Sequence, residues 1–472
     1  MGTDDLCWMP ATELTALIRA KKLSPVELAE AVLARIERIN PKLNAFCTPA
    51  PEAARQAAKI AEAAVMHGEP LGPLHGVPVS LKDLIFTRGI VTTGGSRIFG
   101  DFVPEEDAVA AERLKAAGAV ILGKTNTAEF GHKAVTDNPL FGVTRNPWRL
   151  DRTPGGSSGG AAVAVAAGLG PLALATDAGG SIRIPASFCG VYGLKPSFGR
   201  IPDAPGFPGW ETFSALGPMS RTVRDAALVL DALAGPDDRD PHSLPALNAS
   251  YLAACDEPVQ GWHVAWCPDL GYAVVDPEVA QISEDAAAVF ESLGCRVETV
   301  ATGWDNPEEV FAVMAAAEIH AAWAERLPEW GGRMDPTLVR YLERGRAVTV
   351  ADYLRAARRR REFWAQVQGF VARFDLLLTP TVAVPPFPAG ESRPRKIAGQ
   401  EVSVLGWMPF TYPFNLTGQP AASVPAGFTA DGLPVGLQIV GRRHADRQVL
   451  AASAALEAAR PWARHRPPPD SC

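Results

Sequence analysis

Apolar positions in the first part of the chain recur at helical spacing. In Ala11–Lys22, Leu14, Leu17 and Ile18 fall on one face, the pattern of an amphipathic helix packed on a larger body. Ser24, Pro25 and Glu27 then stand where a capping box places its N-cap, first and third helical residues. They predict a helix over 26–39 that stops before Asn40–Pro41, because a residue preceding proline is pushed out of the α region. Pro51–Met66 is a third, alanine-rich helix, ended by the Gly/Pro turn at 68–73. Residues 1–70 thus read as a helical cover.

From there the period changes. Val77, Val79 and Leu81 alternate as in a strand ending at Lys82. A helix over 107–117 closes at Gly118, and Ala119–Gly123 is a continuous apolar run, the mark of a strand buried on both faces. Residues 123–148 form a long irregular loop, and such loops in compact domains usually carry function. Small residues over 161–169 predict a helix able to lie close to a sheet. Leu172–Asp177 reads as a strand and Thr222–Gly235 as a helix. A Pro/Asp-rich stretch at 236–248 then breaks the pattern, dividing a core (71–235) from a C-terminal part (236–472). Beyond it come strands at 262–267 and 295–300 around a helix at 278–293, helices near 308–327 and 350–374, and a buried strand at 375–382. Residues 421–428 and 433–441 flank an Ala-Asp-Gly turn as a hairpin, and the tail from His465 is expected to be loose. Strands alternating with helices predict an α/β protein.

The 472 residues carry a formal charge of −7 with no long basic block, so no nucleic-acid face is indicated. The arginine run at 358–361 reads as a solvated helix face. Seven scattered cysteines without a CxxC pair argue against a disulfide framework or a zinc site and for a reducing, cytoplasmic setting. The N-terminus lacks a secretory h-region, and Leu6 stands where a myristoylation signal wants Ser or Thr. The longest uncharged run, Thr153–Thr176, is built of Gly, Ala and Pro and predicts a buried helix followed by a strand, not a membrane span.

That run opens the most informative stretch, TPGGSSGGAAVAVAAGLGPLALATDAGGSIRIPASFCGVYGLKP. Ser157 and Ser181 are both cradled by glycines, which fits an ordinary tight turn and equally a hydroxyl held over backbone N–H donors. Upstream, Lys82 lies against Leu84, Ile85 and Phe86, where a lysine ordinarily snorkels outward or pairs with a neighbour such as Asp83. Two other patterns compete. GAVILGKT, Gly118–Thr125, satisfies the P-loop expression, yet its variable residues are strand formers and no helix follows. GGSSG, Gly155–Gly159, satisfies the nucleophile-elbow expression. Its acid and histidine partners have no telling context among His242, His263, His320, His444 and His465, and His67, His75 and His132 form no metal-ligand spacing.

Lys82, Ser157 and Ser181 stand 75 and 24 positions apart, within GGSSGG and DAGGSIRIP wording. In this the chain resembles the amidase signature family of Ser–cis-Ser–Lys hydrolases, most densely over 74–222. The resemblance implies one large α/β domain with a twisted mixed sheet of about eleven strands and helices on both faces. It implies hydrolysis of amide C–N bonds through an acyl-enzyme, with Ser181 as nucleophile, Ser157 after a cis peptide as proton relay and Lys82 as base. A free lysine is protonated at neutral pH, and burial would favour the neutral amine this role needs. Backbone N–H groups of Ala178, Gly179, Gly180 and Ser181 are the expected oxyanion donors, and Gly131 the expected contact of the acyl group. Ser158, Asp177 and Arg183 are expected to hold the serines in place, and Cys189 to be packing.

No cofactor or metal is implied; the partners are a small amide and water, with a homodimer compatible. In the family's tRNA-dependent amidotransferase subunits, an Asp two residues before a Phe-Thr pair holds glutamine. Here the pair is Phe410–Thr411 and the position is Met408. With Trp407, Phe410, Tyr412 and Phe414 nearby, an apolar or aromatic pocket is expected. That favours a stand-alone hydrolase of hydrophobic, aryl or ω-amino-acid amides, including nylon-type oligomers and carbamates. The alternatives are a glutaminase-type subunit, a non-catalytic binding subunit and a nucleotide binder.

Overall fold

The computed structural model describes residues 2–468. Its centre is one mixed sheet of eleven strands. In chain order these are β1 (Phe46–Pro49), β2 (Pro78–Lys82), β3 (Val120–Thr125), β4 (Leu172–Asp177), β5 (Tyr192–Lys195), β6 (Ala215–Ser220), β7 (His263–Trp266), β8 (Arg296–Thr299), β9 (Leu376–Pro380), β10 (Ala421–Phe428) and β11 (Pro434–Gly441). Across the sheet they run β1-β3-β2-β4-β6-β5-β10-β11-β9-β7-β8. The strands β3, β2 and β4 are mutually parallel, and so are β9, β7 and β8; the middle of the sheet is antiparallel. The parallel strands β2, β3 and β9 are buried along their whole length, as continuous apolar runs between two helical layers must be.

Near the candidate site the local structure follows from small residues. The helix Gly159–Ala166 is wholly buried and made only of Gly, Ala and Val, so its backbone can lie against the sheet. The helix Arg183–Cys189, also buried throughout, packs on β10 and β11. At the N-terminus, Asp225 of the helix Val223–Leu233 accepts the N–H groups of Ala11 (2.9 Å) and Thr12 (2.9 Å). A carboxylate thus satisfies the open first turn of the helix Ala11–Arg19 and ties the cover to the body. The stretch 236–248 holds neither strand nor helix. It is packed on 199–203, with Leu244 N donating to Gly199 O and Asp203 N to Asp240 Oδ2, and strands on either side of it join one sheet.

Three expectations are corrected. The helix predicted to stop at Ile39 runs over Pro25–Leu43, through Pro41. Proline forfeits only one bond near a helix end, and the Asn40 side chain clamps the exit, accepting from Phe46 N (2.7 Å) and donating to Phe46 O (3.0 Å). Ser24 caps that helix by accepting from Val26 N (3.0 Å) and Glu27 N (3.1 Å), but Glu27 is exposed and does not close the box. Strands β1, β5 and β6 and the helix Pro336–Arg346 were not foreseen. The expected loose tail lies, from Pro469 onward, outside the described residues, as does Cys472.

Candidate active site

Lys82 is the last residue of β2, and Thr176 and Asp177 end its parallel neighbour β4. The carboxyl ends of parallel strands are where α/β sheets open a crevice. Here the side chains converge. Lys82 Nζ lies 2.7 Å from Ser157 Oγ and 2.8 Å from Thr176 Oγ1, with the lysine wholly buried. Burial is the main cause that brings its pKa down from 10.5 to about 7, against the opposing charges of Asp177 and Asp203. The Gly156–Ser157 peptide bond is cis. Ser157 and Ser181 both line a cavity of about 320 Å³, together with Gly131, Thr176 and Ala178. The Ser181 hydroxyl has no hydrogen-bond partner among the described residues, while its carbonyl accepts from Ser158 N (3.2 Å). Ser158 Oγ in turn donates to Thr176 O (3.1 Å).

Behind the serines lies a buried ion pair. Arg183 Nη2 meets Asp177 Oδ1 at 2.8 Å and Arg183 Nε meets Oδ2 at 3.0 Å, both side chains fully buried. Burial alone would raise the Asp177 pKa, but the Arg183 charge and hydrogen bonds hold it well below the usual carboxylate range. The guanidinium also donates to Thr411 O (2.9 Å), Gln438 Oε1 (2.8 Å) and Asn415 Oδ1 (2.7 Å). Asn415 Nδ2 returns to Asp177 O (2.8 Å). Every lone pair and proton at this buried pair is engaged, which such a pair requires.

Gly180 sits at φ +127°, and a Cβ there would meet Thr411 Oγ1 at 2.5 Å, so only glycine fits. Its N–H, expected among the oxyanion donors, is not free: it donates to Asp177 Oδ1 at 2.7 Å. The carboxylate that anchors the loop takes that proton, leaving the N–H groups of Ala178, Gly179 and Ser181 without an acceptor among the described residues. Gly131 (φ +72°) stands beside the serine relay, where a Cβ would lie 3.3 Å from Ser157 Oγ.

The aromatic segment near Met408 is not the cavity wall. Trp407, Met408, Phe410, Tyr412 and Phe414 are buried in a hydrophobic cluster with Phe311, Trp304 and Phe188. Only Thr411 of that segment reaches the site, through its Oγ1–Gly179 O bond (2.7 Å) and its carbonyl on Arg183. The aromatic wall is instead Phe130, which lies in the 123–148 loop, with Phe198, Phe207 and Trp210, which no sequence pattern singles out. Thr176, Thr411, Asn415 and Gln438 were missed too. For Thr176 a signal existed: it precedes Asp177 at the end of a strand whose neighbour ends in Lys82.

The competing motifs resolve structurally. Lys124 is buried in β3, donating to Ile85 O and Thr87 Oγ1 (2.9 Å), and no helix follows. His132 is buried between Glu129 O (2.7 Å) and Thr337 Oγ1 (2.6 Å), and desolvation lowers its pKa to about 4. Cys189 is buried against Pro154 O (3.7 Å), its thiol pKa pushed well up by desolvation. No described helix is long and apolar enough to cross a membrane.

An eleven-stranded mixed sheet with a buried lysine at one strand end, bonded to a serine that follows a cis peptide and shares a cavity with a second serine, defines an α/β protein with a serine–lysine site. Residues 27–450 match the Amidase family model. The acylamidase of Rhodococcus erythropolis is 42% identical over 99% of this chain and 98% of its own length. Among solved structures, a bacterial aryl acylamidase of the amidase signature family superposes with a TM-score of 0.91 at 36% identity, covering 97% of each chain. The 6-aminohexanoate cyclic dimer hydrolase, complexed with substrate, gives 0.88 at 33% identity over 98% of this chain and 99% of that one. The chain belongs to the amidase family and is an amide-hydrolysing enzyme.

Proposed function

We propose that the chain hydrolyses hydrophobic, aryl or ω-amino-acid amides through an acyl-enzyme on Ser181. The observation that carries this reading is the 2.7 Å contact between a buried, readily neutralised Lys82 and Ser157, facing the same cavity as the unpartnered Ser181 hydroxyl. As Ser181 Oγ attacks the carbonyl carbon, its proton passes to Ser157 Oγ while the Ser157 proton passes to Lys82 Nζ. The oxyanion that forms is taken by free N–H groups among Ala178, Gly179 and Ser181. Collapse breaks the C–N bond, and the proton returns from Lys82 through Ser157 to the departing amine. Water then repeats the sequence on the acyl-enzyme, releasing acid and restoring Ser181.

Asp177 and Arg183 act by fixing Gly180 and the loop around it, and Ser158 by joining the two serine loops. The wall of Phe130, Phe207 and Trp210 supports an aryl or long apolar group in the substrate. A glutaminase-type subunit is disfavoured, since the position expected to carry its carboxylate is a buried Met408. A cytoplasmic setting agrees with six free cysteines among the described residues.

The test is product release, by mass spectrometry, from short aliphatic, long-chain acyl, anilide, glutamine, 6-aminohexanoate-oligomer and aryl carbamate substrates, with Ser181→Ala run alongside. Cleavage of anilides or ω-amino amides, abolished in the variant, is expected. Cleavage of glutamine alone would overturn the substrate class.

A further inference from the structure

The cavity does not end at the aromatic wall. Its outer part is lined by Asp203, Glu211 and Asp240, with Arg239 and His242 beside them. Arg239 is already spent: its guanidinium donates to Asp237 (2.8 and 2.9 Å) and to Glu112 (2.8 Å), both outside the cavity lining. The His242 ring approaches Asp240 at 3.7 Å and packs against the Phe198 ring, centroids 5.2 Å apart. Asp240 also accepts the N–H groups of Asp203 (2.9 Å) and His242 (2.8 Å).

Asp203 and Glu211 are different. Asp203 accepts a hydroxyl from Ser214 (2.8 Å) and Glu211 an N–H from Gly209 (2.9 Å). Among the described residues neither has a cationic side chain within ion-pair distance. Two uncompensated carboxylates therefore face the same cavity as Ser181, which is nine-tenths buried and whose hydroxyl has no partner. The aromatic faces of the same lining can hold an apolar spacer or meet a cation over the ring.

We propose that the outer end of the cavity is a subsite for a positively charged group, so that the chain selects amides bearing a cationic amine at the end remote from the scissile bond, with Asp203 and Glu211 as its recognition residues. This rests on the amidase reading of the inner end. An exposed carboxylate gains little from a single cation, so the preference is moderate and sensitive to salt.

Binding to the full-length Ser181→Ala protein, measured by calorimetry, tests it. One probe series places the charge on the acyl part: the anilides of 6-aminohexanoic, heptanoic and adipic acids. The other places it on the amine part: benzamides N-substituted with 5-aminopentyl, hexyl and 5-carboxypentyl chains. In one series the ammonium probe is expected to bind about fivefold tighter than the neutral one at low salt and the carboxylate probe weakest. That advantage should vanish in 0.5 M sodium chloride and when Asp203→Asn and Glu211→Gln are added. The neutral probe on the same variant reports an intact cavity. Equal affinities in both series, or a preference that survives the added substitutions, would overturn the subsite. Turnover by the parent protein separates the two readings. Cleavage without charge preference removes the subsite alone, and charge-selective binding without cleavage of any probe removes the proposed hydrolysis alone.

Discussion

Lys82 Nζ and Ser157 Oγ are 2.7 Å apart, and neither side chain reaches solvent freely: Lys82 is 0% exposed and Ser157 1%. A lysine in that position is useful only when neutral. With its pKa brought down to about 7 by desolvation, kcat/KM is expected to rise about tenfold per pH unit below 7, where the amine is still protonated, and to level off above it. Lys82→Arg retains positive charge and cannot supply a neutral base, so a loss of about a thousandfold in kcat is expected. A pH–rate profile and steady-state kinetics on one anilide check both; a profile that falls through pH 7 would contradict the role.

Gly131 faces the same pair from the other side. Alanine there would sit at φ +72° with its Cβ 3.3 Å from Ser157 Oγ. Strain of about 1–2 kcal/mol in stability is expected, together with a drop in kcat of about tenfold as the serine is crowded. Thermal unfolding measured beside kcat separates the two effects.

Arg183 holds the loop that carries Gly180 and Ser181. Arg183→Met leaves Asp177 buried and uncompensated, and such a loss costs about 3–5 kcal/mol. Urea unfolding should show it as a lowered midpoint with unchanged slope. Activity of the fraction that remains folded should also fall, since the Asp177 carboxylate orients Gly180 through its N–H.

Lys124 has no role in the proposed chemistry, and its burial shows in stability alone. Desolvation lowers its pKa from 10.5 to about 8, partly offset by Asp83. Between those values the unfolded chain holds the proton and the folded one does not, so the penalty is full below pH 8 and fades towards 10.5. The difference between Lys124→Met and the parent should therefore favour the variant most at pH 6.5. It should shrink by about 3 kcal/mol on going to pH 10.5. A pH-independent difference would mean the lysine titrates normally.

Much of this is legible in the amino-acid sequence alone. Strands β2, β3, β4 and β9 announce themselves as apolar runs, and the Lys82, Ser157 and Ser181 constellation is carried by local wording around each residue. What the chain hides is long-range. Strand β6 reads ALGPMS, with a glycine and a proline, and is a strand only because β4 and β5 flank it. Asn415 and Gln438 look unremarkable until the fold brings them to Arg183, 232 and 255 residues away. The aromatic wall was misplaced for the opposite reason. Residues 407–414 are apolar enough for a pocket, but the sheet and the helix Glu308–Trp323 bury them, and Phe207 and Trp210 sit in an irregular loop with no period to mark them.

In the proposed hydrolysis Ser181 forms the acyl-enzyme. The most direct measurement is intact-protein mass spectrometry after rapid acid quench of the enzyme turning over an activated aryl ester, followed by peptide mapping. A mass increase equal to the acyl group is expected on the peptide carrying Ser181, in the parent and not in Ser181→Ala. An adduct on another residue, or steady turnover by Ser181→Ala at the parent's rate, would contradict it.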